Sequence, residues 1–399
     1  MKITFKERKI FERNISLSYI TGALMWGRFF LPVLALFYIA SQVSLSEFAI
    51  IMSVFSLAIL LLEIPTGVVA DLIGKKNTLL LSRAMYIIEI ALIAFFNGFW
   101  VFLGAKVISG IGVSLGSGTN SALIYDSLKK IGKEKEHKKV VGKLNFISNI
   151  AMAFVFIIGA YLFAINNKLP AIASLPLIIL GFILTFFLKE PYNPVKKFNF
   201  NNLFVHLKEG IRYFVNQKYL VYLAFFTFFI GSAISMILSL SSAYFKVILI
   251  PTFLIGTVAF VSNLLTAYSS KKAYFFEKKF GEKLSLSIIQ IISFVSVLLM
   301  SFVIPYYGVL FYLLLTFMQG FYEVIIVDYT NRHVKTSHRA TMLSINNMFD
   351  NIGIFLLFPV LGYLIKSYSM GFSLMFLGIF LFACFVVSII WYKNIQRSK

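Results

Sequence analysis

The sequence predicts an all-α integral membrane protein, with twelve transmembrane helices in two pseudo-symmetric bundles of six. Three observations lead there. Apolar residues make up 59% of the 399 and charged residues only 13%, whereas a soluble chain carries about 25% charge. Lys and Arg collect in the gaps between apolar runs, as they do in membrane loops. A single ungapped offset also superposes part of the first half of the chain on part of the second.

The apolar excess is more surface than one water-soluble shell can hide, so lipid must take the remainder. A net charge of +21 would suit a nucleic-acid binder, but its placement between apolar runs suits a bilayer instead, and no nucleic-acid partner is expected. Cys384 is the lone cysteine and lies in an apolar run, which excludes an intrachain disulfide and a thiol metal site. His137, His206, His333 and His338 all fall in loop-like or amphipathic segments. Paired haem ligation within the membrane is therefore not expected, nor is any metal or cofactor.

Spans need about 20 mostly apolar residues at 1.5 Å each. Cutting at polar breaks places six at 16–39, 46–70, 78–96, 98–127, 141–165 and 169–188. Six more fall at 219–246, 250–269, 284–304, 307–330, 340–366 and 369–392. The start, MKITFKERKIFERN, is basic and no small-residue cleavage site follows, so the first span reads as retained. Residues 1–190 and 219–399 are then the two bundles, joined by a polar linker at 191–218. Within it Leu203, Leu207, Ile211 and Phe214 recur at helical spacing, which suggests an amphipathic helix on the membrane surface.

Orientation follows from the basic residues. With both termini in the cytoplasm, all but five of the 37 Lys and Arg residues fall in cytoplasmic segments, Lys75, Lys76 and Arg83 among them. The exceptions are Arg28, Lys106, Lys168, Lys246 and Lys366, the last three near outer ends. An odd number of spans would break this alternation. The expected location is the cell (inner) membrane, with the chain acting as a monomer in the bilayer.

The offset that superposes the halves is 202 residues. It sets Asp126 on Asp328, Asn145 on Asn347, Asn149 on Asn351, and Tyr161-Leu162 on Tyr363-Leu364. Parallel repeats about an axis along the membrane normal are one way transporters are built, with the substrate site between the halves.

After the second span comes GVVADLIGKK, with Gly67, Asp71, Gly74, Lys75 and Lys76. This resembles the signature loop of the major facilitator superfamily, Gly-x-x-x-Asp-x-x-Gly followed by two basic residues, and Glu63-Ile64-Pro65-Thr66 looks like its usual lead-in. SGTNSALIYDSLKK at 117–130 and NRHVKTSHRATMLSINNM at 331–348 are similar to segments of efflux permeases in the same superfamily. The resemblance implies a secondary transporter that rocks two halves about a midplane site, with export of small amphipathic compounds driven by protons. It also implies that Asp71 meets the start of the eleventh span, near Arg339 and Thr341, and holds the cytoplasmic side shut. Lys75 or Lys76 is then free to pair with Asp126. In the second half only EKKFGEK at 277–283 echoes the loop: Gly281 matches Gly74, but Lys278 stands where the acid would be.

Ionisable groups within spans are costly and mark function. Arg28, Glu89, Lys106 and Asp350 fall near mid-depth. The resemblance puts the first and fourth spans on the cavity, which favours Arg28 and Lys106 as cavity residues. Lys106 also stands where the family often has an arginine tied to proton coupling, four residues before Gly110. Glu63, Glu323 and Asp350 are the candidate proton carriers, and Glu89 reads equally as a structural partner for a cation. Gly110, Ser114, Gly118 and Ala122 recur every fourth residue as a small-residue packing face. Against export stands the fifth span's FIIGAYLF, which lacks the Gly-Pro-x-x-Gly-Gly of many antiporters, so import of a specific metabolite by proton symport is the nearest alternative. A lipid-modifying enzyme would need a catalytic cluster or an extramembrane domain that the sequence does not display. No phosphate-binding Gly-x-x-x-x-Gly-Lys-Ser/Thr run is present for ATP.

Overall fold

Among the described residues, ten helices are long and apolar enough to cross a bilayer. One of them, Thr252–Ser301, has 50 residues and leaves helical geometry at Gly281 (φ 71°, ψ 171°). At more than twice the length a bilayer needs, it is the eighth and ninth spans joined end to end. The remaining span is the first, which is broken: Phe5–Met25 stops, and the chain resumes as a 3-10 turn Leu31–Val33 and a helix Leu34–Ala40. Twelve spans result, as expected. The computed structural model describes residues 5–192, 211–334 and 339–397, and all regular structure among them is helical.

The second to sixth spans are Leu45–Ile73, Lys75–Phe95, Phe99–Lys130, His137–Ile165 and Leu169–Phe186. The seventh is Lys218–Val247, and the last three are Gly308–Arg332, Arg339–Ser367 and Met370–Arg397. Local chemistry sets several of these ends. Ser44 and Glu47 form a reciprocal capping box at the start of the second span. Gly74 ends that span at φ 89° and ψ 152°, a conformation that only glycine adopts cheaply. Gly281 does the same between the eighth and ninth, so the matched glycines of the two loops turn the chain alike.

Three expectations need correction. The first span is not continuous over 16–39, because the chain leaves the helix around Arg28. The small-residue face of the fourth span is interrupted: Gly110 does pack closely, its Cβ position 2.8 Å from the Ala58 Cβ, but Gly118 sits at φ 70° with nothing within 4 Å. It is a turn that divides the span into Phe99–Gly116 and Thr119–Lys130. Arg83 falls inside the third span, as the expected range 78–96 has it, and is 4% exposed, so it does not belong with the cytoplasmic lysines.

The two bundles meet through the second span against the eleventh and the fifth against the eighth. A Cβ at Gly362 would lie 2.6 Å from the Ala49 Cβ, and one at Gly256 would lie 2.9 Å from the Ala160 Cβ. Ser53 Oγ donates to the Phe355 carbonyl at 2.6 Å, and Leu36 N–H to Ser242 Oγ at 3.3 Å. All these residues lie in the portions of their spans remote from the chain termini. The halves are therefore sealed against one another on the side opposite the termini.

Outer faces meet lipid. On the fifth span Ile150, Phe154, Ile158, Tyr161 and Ile165 are exposed at intervals of three and four, a single helical stripe. Of the linker, residues 193–210 lie outside the described residues, and with them Leu203, His206 and Leu207. Phe214 is buried against Leu220, Ala224, Val334 and Met342, while Ile211 is exposed.

Candidate functional site

A cavity opens within each bundle on the side of the termini. The first, about 590 Å³, is lined by Met25, Trp26 and Arg28 of the first span, Ser82, Arg83 and Tyr86 of the third, Asn120 of the fourth, and Asn145, Ser148 and Asn149 of the fifth. A cavity of about 260 Å³ in the other half is lined by Thr227, Gly231 and Ser235, by Gln319, Tyr322 and Glu323, and by Asn346, Asn347 and Asp350. The offset of 202 residues carries Asn145 to Asn347, Ser148 to Asp350 and Asn120 to Tyr322. The two cavities thus overlap in position within the repeat and differ in chemistry. Gln319 also borders a third space of about 180 Å³ between the halves, with Pro32, Phe156, Ser241, Asn263 and Tyr312.

Each cavity is entered by irregular backbone. In the first span the chain around Arg28 is held from outside: Ser174 Oγ accepts from Phe29 N–H at 2.9 Å, and Gly159 packs on the Phe29 carbonyl so closely that no Cβ fits. In the seventh span Thr227–Gly231 is a π-helical turn. The repeat offset sets Met25–Phe29 on Thr227–Gly231. Non-helical backbone at this depth is tolerated only where protein or a cavity satisfies it, and π-turns gather at functional sites.

The charged residues divide between the halves. Arg28 lies with its guanidinium 3.9 Å from the centre of the Tyr86 ring, and its Nε is buried without a partner. Arg83 donates from Nη1 to the Gly181 carbonyl at 3.3 Å. Lys106 and Glu89 pair with each other at 2.8 Å, with side chains 6% and 0% exposed. Neither lines the cavity, so Lys106 does not join Arg28 there. A desolvated ammonium is stable only beside a carboxylate, and the Glu89 of the adjacent span supplies one. In the second cavity Asp350 Oδ1 has no partner, and Glu323 Oε1 accepts from Gln319 at 2.8 Å. Glu63 is half-buried on the second span with Oε2 also unpartnered.

At the signature loop Lys75 Nζ forms an ion pair with Asp126. Asp71 is exposed and makes no ion pair among the described residues; the surroundings of Gly67 and the side chains of Arg339 and Thr341 lie outside them. Lys76 contributes its backbone N–H, which donates to Glu190 Oε2 at 2.8 Å, while Lys75 N–H donates to Oε1 at 3.1 Å. Glu190 thus caps the third span from the end of the sixth, favourably placed against the helix dipole. The second half reverses the polarity: Arg332 on the tenth span forks onto Glu277 at 3.1 and 3.3 Å and reaches Asp328.

Arg83 and Glu190 were missed in the sequence. Arg83 follows two loop lysines closely enough to be counted with them, yet it sits eight residues into a helix, about 12 Å deep. Glu190 carries only the weak signal of an acid at the end of an apolar run.

A family model described as Major Facilitator Superfamily matches residues 15–276 and 273–399. The chain belongs to the major facilitator superfamily. It is 22% identical over 378 residues to the uncharacterised MFS-type transporter YxaM of Bacillus subtilis (strain 168), a match spanning 93% of this chain and 92% of that one. Among solved structures, the nucleoside transporter NupG superposes with a TM-score of 0.75 at 15% identity, covering 96% of this chain and 99% of that chain. The POT family transporter PepTSo gives 0.74 at 12% identity over the whole of both chains. Such identities establish the shared superfamily fold. Membership makes this a multi-pass membrane protein of a secondary-transporter family.

Proposed function

We propose that this superfamily member is a proton-coupled secondary transporter that exports small amphipathic solutes by alternating access. One observation carries the reading. The two bundles are sealed at one end and hold paired cavities toward the other, with unpartnered charged atoms at the cavity walls. That is a transporter waiting for cargo on the side of its termini, taken here as the cytoplasmic side of the cell membrane. The walls mix Met25, Trp26 and Tyr86 with Arg28, Asn145 and Asn149, which suits an amphipathic solute. Asp350 and Glu323 are the proposed proton carriers, with Glu63 a third. The Lys75–Asp126 pair, Asp71 and Arg339 form the proposed cytoplasmic latch. The protein acts as a monomer.

Export rests on the likeness of residues 117–130 and 331–348 to efflux permeases. The fifth span favours a second reading, proton symport inward, because Gly159 packs on Phe29 without the glycine-rich run of many antiporters. One assay separates the two. Fluorescent amphipathic dyes are followed in energised cells carrying wild type or Asp71→Asn, with and without protonophore. Lower accumulation in wild type, lost with either perturbation, is the result expected for export. Higher accumulation that collapses with protonophore indicates import. Flux indifferent to the proton gradient removes the coupling and leaves transport.

A further inference from the structure

The larger cavity carries more charge than its surroundings neutralise. Arg28 and Arg83 both line it, and no carboxylate does. Behind Arg28 the Glu89 carboxylate is engaged at 2.8 Å by Lys106. The group is three cations against one acid, in a region where an uncompensated charge is costly. Such an excess persists in a bilayer only if water or a ligand meets it.

The geometry around the two guanidiniums is that of a receptor for an anion. Tyr86 lies against the Arg28 guanidinium at 3.9 Å, which fixes it while leaving its N–H edge free. Nε on that edge is buried and has no acceptor. Arg83 spends one N–H on the Gly181 carbonyl at 3.3 Å, a long bond, and retains four more donors. Asn120, whose Oδ1 is also buried and unpartnered, adds a carboxamide that can donate once its amide is turned. Asn145, Asn149 and Ser148 complete the rim. Met25, Trp26, Val113 and Leu144 supply the apolar wall. The cavity in the other half is lined by Asp350 and Glu323 and by no cation, so of the two this one suits negative charge.

We infer that the cargo is an amphipathic organic anion whose carboxylate or phosphate is held by Arg28 and Arg83 in the amino-terminal cavity. This rests on the transport reading but is tested apart from it. Purified full-length protein in detergent is titrated with phenylacetate, phenyl phosphate, phenylacetamide and phenethylammonium, with thermal unfolding as readout. Both anions, or one of them, should stabilise the wild type; the amide and the cation should not. Preference between the two anions tells carboxylate from phosphate.

Arg28→Gln and Arg83→Gln should each weaken anion binding roughly tenfold or more, the loss of a charge-assisted hydrogen bond. Arg28→Lys should recover part of it, because charge returns without the fork. Unliganded melting and monodispersity of each variant show whether it folds; Arg83→Lys replaces Arg83→Gln if the latter does not. Stabilisation by the cation or amide equal to that by the anions, anion binding unchanged in folded variants, or no stabilisation by either anion overturns the inference. Proteoliposome flux of the same four probes separates the two claims. Flux of the cation or amide without anion binding leaves transport standing and removes the anion site. Arginine-dependent anion binding without flux does the reverse.

Discussion

At Glu89 a fully buried carboxylate meets the Lys106 ammonium at 2.8 Å, and the two residues lie on neighbouring spans of one bundle. Removing one partner strands the other charge, so Lys106→Met is expected to cost about 3–5 kcal/mol, whereas the double change Glu89→Gln/Lys106→Met should recover most of it. Thermal unfolding of the three variants in detergent measures this. Equal loss in single and double variants would mean that the pair matters through packing alone. Asp350 is a different kind of charge: it borders a cavity and one of its oxygens has no partner. Asp350→Asn is expected to abolish uphill, gradient-driven transport and to spare exchange of cargo for cargo, measured as counterflow in proteoliposomes. Retention of uphill transport would remove Asp350 from the proton path. That Arg28, Glu89, Lys106 and Asp350 fall within spans was legible in the sequence. Which of them faces a cavity and which faces a partner was not, because that depends on rotation about helix axes, and one residue of misplacement turns a side chain by about 100°.

Among the elements, the breaks and turns carry the most information. Gly142 and Gly281 both have open space where a Cβ would go, but Gly281 sits at φ 71° and Gly142 lies within the regular fifth helix. Alanine should therefore act in opposite directions. Gly142→Ala is expected to stabilise by about 0.5–1 kcal/mol, and Gly281→Ala to destabilise by about 1–3 kcal/mol. Melting temperatures that move together would contradict the turn assignment. The match of Gly281 to Gly74 was readable from the loop sequence, and the backbone angles share that logic. By contrast, the break at Arg28 and the π-turn at Thr227–Gly231 leave no mark in composition. Both stretches are rich in apolar residues that suit a helix, and tertiary contacts from Ser174 and Gly159 hold the first one open.

For the whole molecule, the span count and the duplication were legible because hydrophobic length and charged-loop spacing are one-dimensional signals. The side on which the halves close was not, since it depends on contacts between spans far apart in the chain. Those contacts must part if the halves alternate, so transport requires the sealed end to open. Ala49 and Gly362 face each other there, with the Gly362 Cβ position 2.6 Å from the Ala49 Cβ, so a cysteine pair needs only a small outward shift to reach disulfide geometry. Ala49→Cys/Gly362→Cys, made with Cys384→Ser so that no other thiol remains, is the variant to measure, as flux in proteoliposomes before oxidation, after it, and after reduction. Flux lost on oxidation and restored by reductant is the expected result. Undiminished flux through fully cross-linked protein would contradict alternating access by these two halves.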